Sequence, residues 1–234
     1  MKPVTNLLRL PIILPQALWV AARAVRLPEP PGPREGQDGE GAPLRVLILG
    51  DSSAAGVGVD HQDQALSGRL VARLGHTHTV YWQLWAQSGL TTSAALRLLS
   101  EHSHQRFDLA VVALGVNDVK NGVHVTRWQS NYARLIGMLK RRFGVRRIYA
   151  SGVPPMGAFP LLPQPLRGTL GDRATRFDAT LVALCQREPG VVHMPFDVDL
   201  DPGMMAADGF HPGAKVYDIW AERIVAALSE DPLD

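Results

Sequence analysis

Residues 47–58 give the strongest indication of the fold of this chain: Leu47-Ile48-Leu49-Gly50-Asp51-Ser52-Ser53-Ala54-Ala55-Gly56-Val57-Gly58. It opens as an apolar run, which is typical of a strand buried on both faces of a parallel sheet. The run stops at Gly50, and Ser52 follows in a loop of small residues that lets a ligand approach the backbone. The carboxyl end of a buried strand borders the ligand-binding crevice of open α/β sheets. Ser52 is therefore a candidate nucleophile, although Gly-Asp-Ser is also ordinary turn chemistry.

The composition is that of a globular protein with a sizeable apolar core. Of the 234 residues, 46% are hydrophobic and 20% are charged, and the formal net charge is only +2. The Lys and Arg residues are scattered along helical patterns, which is typical of solvated faces and argues against a nucleic-acid partner. The single cysteine, Cys185, excludes an internal disulfide, and its apolar helical spacing predicts a place in the core.

The N-terminal segment, residues 1–27, is apolar and is flanked by positive charge. Its uncharged run from Leu10 to Ala22 is shorter than the roughly 20 residues that a membrane-spanning helix needs. Three interpretations remain open: an export signal, an interfacial helix with Trp19 at headgroup level, or a helix packed on the domain. The first two predict export or membrane association, with peripheral membrane contact through residues 7–26, and the third allows a cytoplasmic protein. The flanking cations are Lys2, Arg9, Arg23 and Arg26.

A segment rich in Pro, Gly and Glu, residues 28–43, is predicted to be a flexible linker to the rest of the chain. Residues 44–234 have the size of one domain and alternate strand patterns with amphipathic helix patterns. This alternation predicts right-handed crossovers and a five-stranded parallel sheet that helices cover on both faces. The strand candidates are Arg45–Leu49, Thr79–Leu84, Leu109–Leu114, Arg147–Ser151 and Val191–His193. The helix candidates are Ala65–Leu74, Thr92–Glu101, Arg127–Phe143, Arg173–Arg187 and Ala214–Leu228. Between the fourth strand and its helix, residues 154–170 are predicted to form a long loop.

Four short blocks place chemistry-bearing residues where a parallel sheet would bring them together. Ser52, Gly89 and Asn117 each follow one of the first three strands, and His211 comes just before the last helix. A serine hydroxyl needs a base to take its proton, which His211 can do, and a buried carboxylate can fix the tautomer of that imidazole. Asp208, three residues before His211, is the candidate carboxylate. The N–H groups of Ser52 and Gly89 and the Asn117 side-chain amide are candidate donors to an oxyanion.

These blocks resemble those of the SGNH (GDSL-type) hydrolase superfamily. The resemblance rests, in family order, on Gly50-Asp51-Ser52 with Gly56 and Gly58, on Gly89, on Gly115-x-Asn117-Asp118 and on Asp208-x-x-His211. It implies a three-layer α/β/α fold with a flavodoxin-like sheet. It also implies hydrolysis of esters or thioesters, without metal or cofactor, by the triad and oxyanion donors named above. Two departures, Ser53 after the nucleophile and Ser88 before the glycine, leave the substrate class open.

The chain is therefore expected to be a lipase- or esterase-like serine hydrolase that cleaves small-molecule or lipid esters through an acyl-enzyme. A thioesterase or a carbohydrate O-deacetylase could use the same residues, and a non-catalytic lipid- or partner-binding protein is the alternative from another class. The apolar loop after the fourth strand is predicted to line an acyl pocket, and burial in the core is the alternative. Its candidate substrate-binding residues are Met156, Phe159, Leu161 and Leu162.

Two further patterns are weak. The pairs His76/His78 and His102/His104 have no cluster of carboxylates or thiolates beside them, so no metal site is expected. The glycines after the first strand lack the G-x-G-x-x-G spacing of a dinucleotide-binding loop, so no cofactor is expected there.

Overall fold

The chain folds around a six-stranded sheet, seen in a computed structural model that describes residues 10–23, 25–159, 161–198 and 203–233. The strands are β1 Glu35–Asp38, β2 Ala42–Gly50, β3 His78–Ala86, β4 Leu109–Ala113, β5 Arg147–Ser151 and β6 Val191–Met194. The helices are α1 Leu10–Arg23, α2 Leu66–Leu74, α3 Thr92–Glu101, α4 Val116–Lys120, α5 Val125–Phe143, α6 Leu166–Cys185 and α7 Ala214–Glu230. Two short 3₁₀ turns cover Gln62–Gln64 and Met156–Ala158.

The strand order is β1-β3-β2-β4-β5-β6, and every neighbouring pair except β1 with β3 is parallel. The five parallel strands therefore have the flavodoxin-like order, which confirms the predicted topology. In this order β2 lies between β3 and β4, and the direction of strand addition reverses beside it. Ligands of doubly wound sheets bind at this switch point, outside the carboxyl ends of the strands. The loop that carries Ser52 leaves from that place.

Alternating side chains of the central strand β2 pack into two separate hydrophobic cores. Leu47 and Leu49 pack into the core formed with α3, α5 and α6, whereas Val46 and Ile48 pack into the core formed with α2 and α7. Successive side chains of a strand point to opposite faces, so a fully apolar β2 needs cover on both sides. The predicted three-layer α/β/α arrangement is confirmed.

The sheet has one strand more than predicted, and that strand corrects the expectation of a flexible linker over residues 28–43. Glu35–Asp38 pairs antiparallel with β3, in a register that sets Glu35 opposite Gln83. All four residues of β1 are exposed, so the strand is held by backbone hydrogen bonds and has no apolar alternation that a sequence pattern could reveal.

Helix α6 begins earlier than predicted, at Leu166 instead of Arg173, and this shortens the expected loop. The composition of this part, which is rich in Pro and Leu, favoured an irregular segment. In the structure, Gly171 lies against Gly157 of the 3₁₀ turn, where an added Cβ would come within 2.7 Å of the facing Cα. The small residue therefore serves close packing of the helix on the turn, a tertiary reason that local propensity does not carry.

The N-terminal helix α1 lies on the domain beside α6. Ile13, Ala17 and Val20 pack against the main core, and Gln16 binds the start of α6. The Gln16 Oε1 atom accepts the Leu166 N–H at 3.1 Å, and the Gln16 Nε2 atom donates to the Gln164 carbonyl at 2.5 Å. Residues 1–9 of the segment lie outside the described residues. Within the described ranges, no helix combines the length and apolar character needed to cross a membrane.

Candidate active site

The loop that carries Ser52 is fixed by hydrogen bonds to two parts of the fold and by one within the loop. The Asp51 N–H donates to the Ala113 carbonyl at the end of β4 at 3.0 Å, and the Val57 N–H donates to the Ser52 carbonyl at 3.0 Å. From helix α7, the buried Tyr217 hydroxyl donates to the Val57 carbonyl at 2.7 Å. The serine thus sits on a tight turn between two strand ends and a helix, which restricts the position of its hydroxyl.

Asp51, only 3% exposed, braces this turn from inside. Its carboxylate accepts the Ser53 N–H at 3.1 Å, the Ser53 hydroxyl at 2.8 Å and the Asn117 amide at 3.3 Å. Burial raises the pKa of Asp51 above its ordinary value, against the lowering effect of the bonds from Ser53. Its contacts lie within the loop and toward β4, in agreement with the interpretation of Asp51 as a brace.

The second half of the site is the loop before α7, which Asp208 organises. Asp208 Oδ1 accepts the backbone N–H groups of both Phe210 and His211 at 3.0 Å. The Ala206 N–H donates to the His211 carbonyl at 2.8 Å and closes the loop. Burial raises the pKa of Asp208, but the hydrogen bonds from His211 and Phe210 outweigh it, so the pKa lies below its ordinary value.

The structure brings Ser52, His211 and Asp208 together in one line. His211 Nε2 lies 2.9 Å from Ser52 Oγ, and His211 Nδ1 lies 2.5 Å from Asp208 Oδ2. The carboxylate is almost fully buried, and the imidazole is partly open to the cleft. One ring nitrogen therefore faces a charged acceptor and the other faces a hydroxyl, so the ring can take a proton from that hydroxyl.

The two halves of the site meet at Gly58. An added Cβ on Gly58, whose φ is +113°, would lie 2.2 Å from the Pro212 carbonyl oxygen. Only a residue without a side chain allows this approach. The contact sets the spacing between the serine loop and the residue after His211.

Two of the predicted oxyanion donors have free N–H groups. Among the described residues, the backbone N–H groups of Ser52 and Gly89 donate no hydrogen bond. Gly89 has a φ of +83° and open space where a Cβ would be. The third donor differs from expectation, because the Asn117 amide is already engaged with Asp51 and with the Leu90 carbonyl, at 3.3 and 3.2 Å. Asn117 can serve an oxyanion only by sharing one of these long bonds.

A charged pair before β1 holds the Gly89 loop, and sequence reasoning missed it. Glu29 Oε1 accepts the Ser88 N–H at 2.7 Å, and Glu29 Oε2 pairs with Arg34 Nη1 at 3.0 Å. The other terminal nitrogen of Arg34 donates to the Ala86 carbonyl at the end of β3. The pair therefore clamps the exit of β3 on both sides. An acid and a base five residues apart in a Pro- and Gly-rich segment gave no signal of this role.

A cleft opens beside the serine and encloses about 900 Å³, counting its open mouth. Its wall is mostly apolar and comes from the ends of β4, β5 and β6 and from α7. Ser151, at the end of β5, adds a buried hydroxyl without a hydrogen-bond partner in the described part of the chain. The apolar lining includes Leu114, Pro154, Phe159, Met194, Phe196, Val198, Phe210, Val216 and Trp220.

The predicted acyl pocket needs correction in three of its four residues. Phe159 lines the cleft, where its ring packs edge-on against Phe210 at 5.1 Å. Met156 and Leu162 are buried in the main core like Phe159, but they do not line the cleft, because the 3₁₀ turn packs down on α6. Leu161 is 43% exposed and does not line the cleft. Pro160 of this loop lies outside the described residues. The lining residues Phe196 and Val198, which follow β6, were not predicted. They reach the cleft because the carboxyl end of β6 lies at the same sheet edge as the end of β2, which carries Ser52.

A second aspartate–histidine pair lies away from Ser52. His193 Nε2 on β6 is 2.9 Å from Asp178 Oδ1 on α6, and that oxygen also accepts the Val153 N–H at 2.9 Å. Neither residue of the pair lines the cleft. It ties β6, α6 and the exit of β5 together.

Comparison with known proteins adds relatives of similar fold. The GDSL-like esterase Rv1075c of Mycobacterium tuberculosis is 25% identical over 202 residues, which are 80% of this chain and 62% of that protein. The chain thus spans about three fifths of the length of that relative. The structure of TesA is 25% identical, with a TM-score of 0.63 over 81% of this chain and 99% of that one.

The psychrotrophic esterase EstA from Pseudoalteromonas sp., solved in a form inhibited by monoethylphosphonate, shares the fold. It is 19% identical, with a TM-score of 0.62 over 80% of this chain and 97% of that one. A family model covers residues 48–219, from the strand before Ser52 to the helix after His211. The family resemblance is thereby confirmed, and the chain belongs to the GDSL-like lipase/acylhydrolase family.

Proposed function

We propose that this chain hydrolyses carboxylic esters, with Ser52 as the nucleophile, His211 as the general base and Asp208 as the residue that orients the imidazole. One observation carries the proposal, namely the hydrogen-bonded line from Asp208 Oδ2 through both ring nitrogens to Ser52 Oγ. Membership of an acylhydrolase family supports acyl transfer as the reaction class.

In the proposed reaction, Ser52 Oγ attacks the ester carbonyl carbon while its proton moves to His211 Nε2. The carbonyl π electrons move onto oxygen, and the oxyanion accepts hydrogen bonds from the N–H groups of Ser52 and Gly89. Collapse of this intermediate breaks the bond to the alcohol, which takes the proton from His211 and leaves an acyl-serine. Water then attacks with His211 again as base, which releases the carboxylic acid and restores the Ser52 hydroxyl.

The lining of the cleft supports an apolar acyl group. Phe159, Phe196 and Trp220 offer aromatic surface, and a wall of this kind gains more from burying methylene groups than from binding a sugar. We therefore propose that esters of acyl chains with several carbons are turned over faster than acetate esters. Transfer of each buried methylene is worth about 0.8 kcal/mol, which is roughly a fourfold gain per carbon until the cleft is filled.

Two measurements test the chemistry. Ser52→Ala should lower kcat by about 10⁴-fold or more with an unchanged melting temperature. Ser53→Ala, which removes the neighbouring hydroxyl that faces Asp51, is the control and should retain most activity. A fluorophosphonate should label Ser52 in the wild type, as read by peptide mass spectrometry. Near-normal turnover of Ser52→Ala, or labelling elsewhere only, would reject the assignment.

A substrate panel tests the specificity. We expect kcat/KM for p-nitrophenyl esters to rise from acetate to a medium chain length and then to level off. The best turnover on acetate would remove the support for an acyl cleft. Faster turnover of matched thioesters would make the protein a thioesterase, faster turnover of acetylated sugars would make it a deacetylase, and neither turnover nor labelling would indicate a binding protein.

A further inference from the structure

Helix α1 presents an outer face that the domain leaves uncovered. In the described part of the chain, seven large apolar side chains are exposed, and five of them lie between residues 12 and 25. Four belong to α1 and form the outer face, namely Ile12, Leu14, Leu18 and Trp19. Leu18 is 70% exposed, more than any other of the seven.

The helical period explains this arrangement. At about 100° per residue, Ile13, Ala17 and Val20 share the side that packs on the domain, and the outer face occupies the opposite arc. Pro11, Pro15 and Ala22 fall within the same exposed arc, so no polar side chain interrupts it. The polar residues of the helix are Gln16, which binds the start of α6, and Arg23 at its end. A surface helix normally turns polar residues outward, so an apolar outer face indicates a site of interaction with a membrane or another molecule.

Positive charges flank the apolar run of α1 in the sequence. Residues 1–28 contain two lysine or arginine residues before the apolar run and two after it, and no aspartate or glutamate. Arg23 and Arg26 are exposed, and the Arg23 guanidinium lies 4.8 Å from the centre of the Trp19 ring. A tryptophan beside an arginine at the end of an apolar face suits the headgroup level of a bilayer, and unopposed cations favour anionic lipids. A second copy fits less well, because a two-fold contact would bring like charges together.

We propose that the outer face of α1 docks the protein on the surface of an anionic lipid bilayer, with Leu14 and Leu18 inserted and Arg23 at the headgroups. The helix lies in the plane of the interface, which suits its 14 residues. It is fastened to the start of α6, directly after the loop that supplies Phe159 to the cleft. Esters that partition into lipid would therefore lie close to the cleft; this consequence rests on the proposed function, whereas the docking does not.

Vesicle cosedimentation with the full chain tests the docking without any turnover. The wild type should bind vesicles of phosphatidylcholine with 30% phosphatidylglycerol at least tenfold more tightly than pure phosphatidylcholine at low salt. The combined substitution Leu14→Ser, Leu18→Ser and Trp19→Ser should weaken that binding at least tenfold. Tyr81→Ser is the matched control, because Tyr81 is also an exposed aromatic residue but lies on β3. It should bind like the wild type.

A second pair of substitutions tests the contribution of positive charge to vesicle binding. Arg23→Glu with Arg26→Glu should abolish the preference for anionic vesicles. Melting temperatures and solution turnover of a soluble ester, both equal to the wild type, show that the variants are folded. Absence of wild-type binding, or unchanged binding of the triple variant, would overturn the proposal. So would a concentration-dependent dimer in sedimentation velocity that the triple variant loses, because a second copy would then be what covers the face.

Discussion

Replacing Asp208 by Asn tests the orientation of the imidazole with little change of shape. The carbonyl oxygen of Asn can still accept the backbone N–H groups of Phe210 and His211, which Asp208 Oδ1 accepts at 3.0 Å. The amide nitrogen then takes the place of Oδ2, 2.5 Å from His211 Nδ1. A donor at that position requires Nδ1 to be the acceptor, so Nε2 carries the ring proton. In that tautomer Nε2 cannot take the proton of Ser52.

The size of the effect follows from the charge that is lost. Two unit charges about 4 Å apart attract each other by about 4 kcal/mol at the effective dielectric constant of about 20 that suits protein sites. In the proposed mechanism that attraction stabilises the imidazolium formed as Ser52 attacks, and each 1.36 kcal/mol corresponds to about a factor of ten in rate. The charge alone is thus worth about 1,000-fold in kcat, and the wrong tautomer brings the expected loss to about 10³–10⁴-fold.

The assay compares initial rates on a p-nitrophenyl ester with the rate of inactivation by a fluorophosphonate, since both need an activated Ser52. Asp178→Asn is the matched control, because Asp178 also holds a histidine at 2.9 Å and also accepts a backbone N–H. We expect both rates to fall by about three orders of magnitude or more in Asp208→Asn and by less than a few-fold in Asp178→Asn. A fall of less than tenfold in a folded Asp208→Asn, or equal falls in both variants, would show that Asp208 does not orient and charge-stabilise the imidazole.

Three further predictions follow from the contacts around the site. Gly58→Ala should lower the free energy of unfolding in urea by about 2 kcal/mol or more, and also lower kcat, because the new Cβ would collide with the Pro212 carbonyl. Gly122→Ala is the control: its φ is +71° but the space around it is open, so it should lower the free energy of unfolding by only about 1 kcal/mol. Glu29→Gln should lower kcat roughly tenfold with little change in KM, because the charged acceptor of the Ser88 N–H is lost; an unchanged kcat would contradict this. The stability that the Asp208 carboxylate contributes, given its lowered pKa, is complete above about pH 4 and is lost as the pH falls through the folded-state pKa. The difference in urea stability between the wild type and Asp208→Asn should therefore stay constant above about pH 4 and narrow as the pH falls below it.

The sequence predicts those parts of the fold whose side chains take part in a core. The apolar run of β2 and the three-and-four spacing of Trp128, Tyr132, Leu135 and Leu139 identify a central strand and the helix α5, and both are present. Strand β1 was not predicted because its four side chains are exposed and give no apolar pattern in the sequence. The start of α6 was not predicted because the Pro- and Leu-rich segment before Arg173 favours irregular structure locally, whereas the close packing of Gly171 on Gly157 depends on the tertiary fold.

In the candidate site, the chemistry-bearing residues could be predicted from the sequence, whereas the wall of the cleft could not. The short blocks predicted which residues meet at the sheet edge, because the carboxyl ends of parallel strands converge there whatever the intervening sequence. The wall of the cleft depends instead on which way each loop turns after its strand. Met156 and Phe159 are both apolar, three residues apart and buried in the main core, yet only Phe159 also lines the cleft. Local pattern cannot separate these two outcomes, since both bury apolar surface.

The site has one part that the sheet does not position. Ser52, Gly89 and Asn117 follow β2, β3 and β4, so the strand register fixes their spacing. His211 lies in the loop before α7, well along the chain from the end of β6 at Met194, so its place must come from local bonds. These bonds include the backbone N–H groups held by Asp208 Oδ1, the Ala206 N–H on the His211 carbonyl and the close approach at Gly58. The 2.9 Å separation of Ser52 Oγ from His211 Nε2 therefore depends on a few short contacts within one loop. Substitutions in that loop should disturb activity well before they unfold the sheet, whose two cores lie elsewhere.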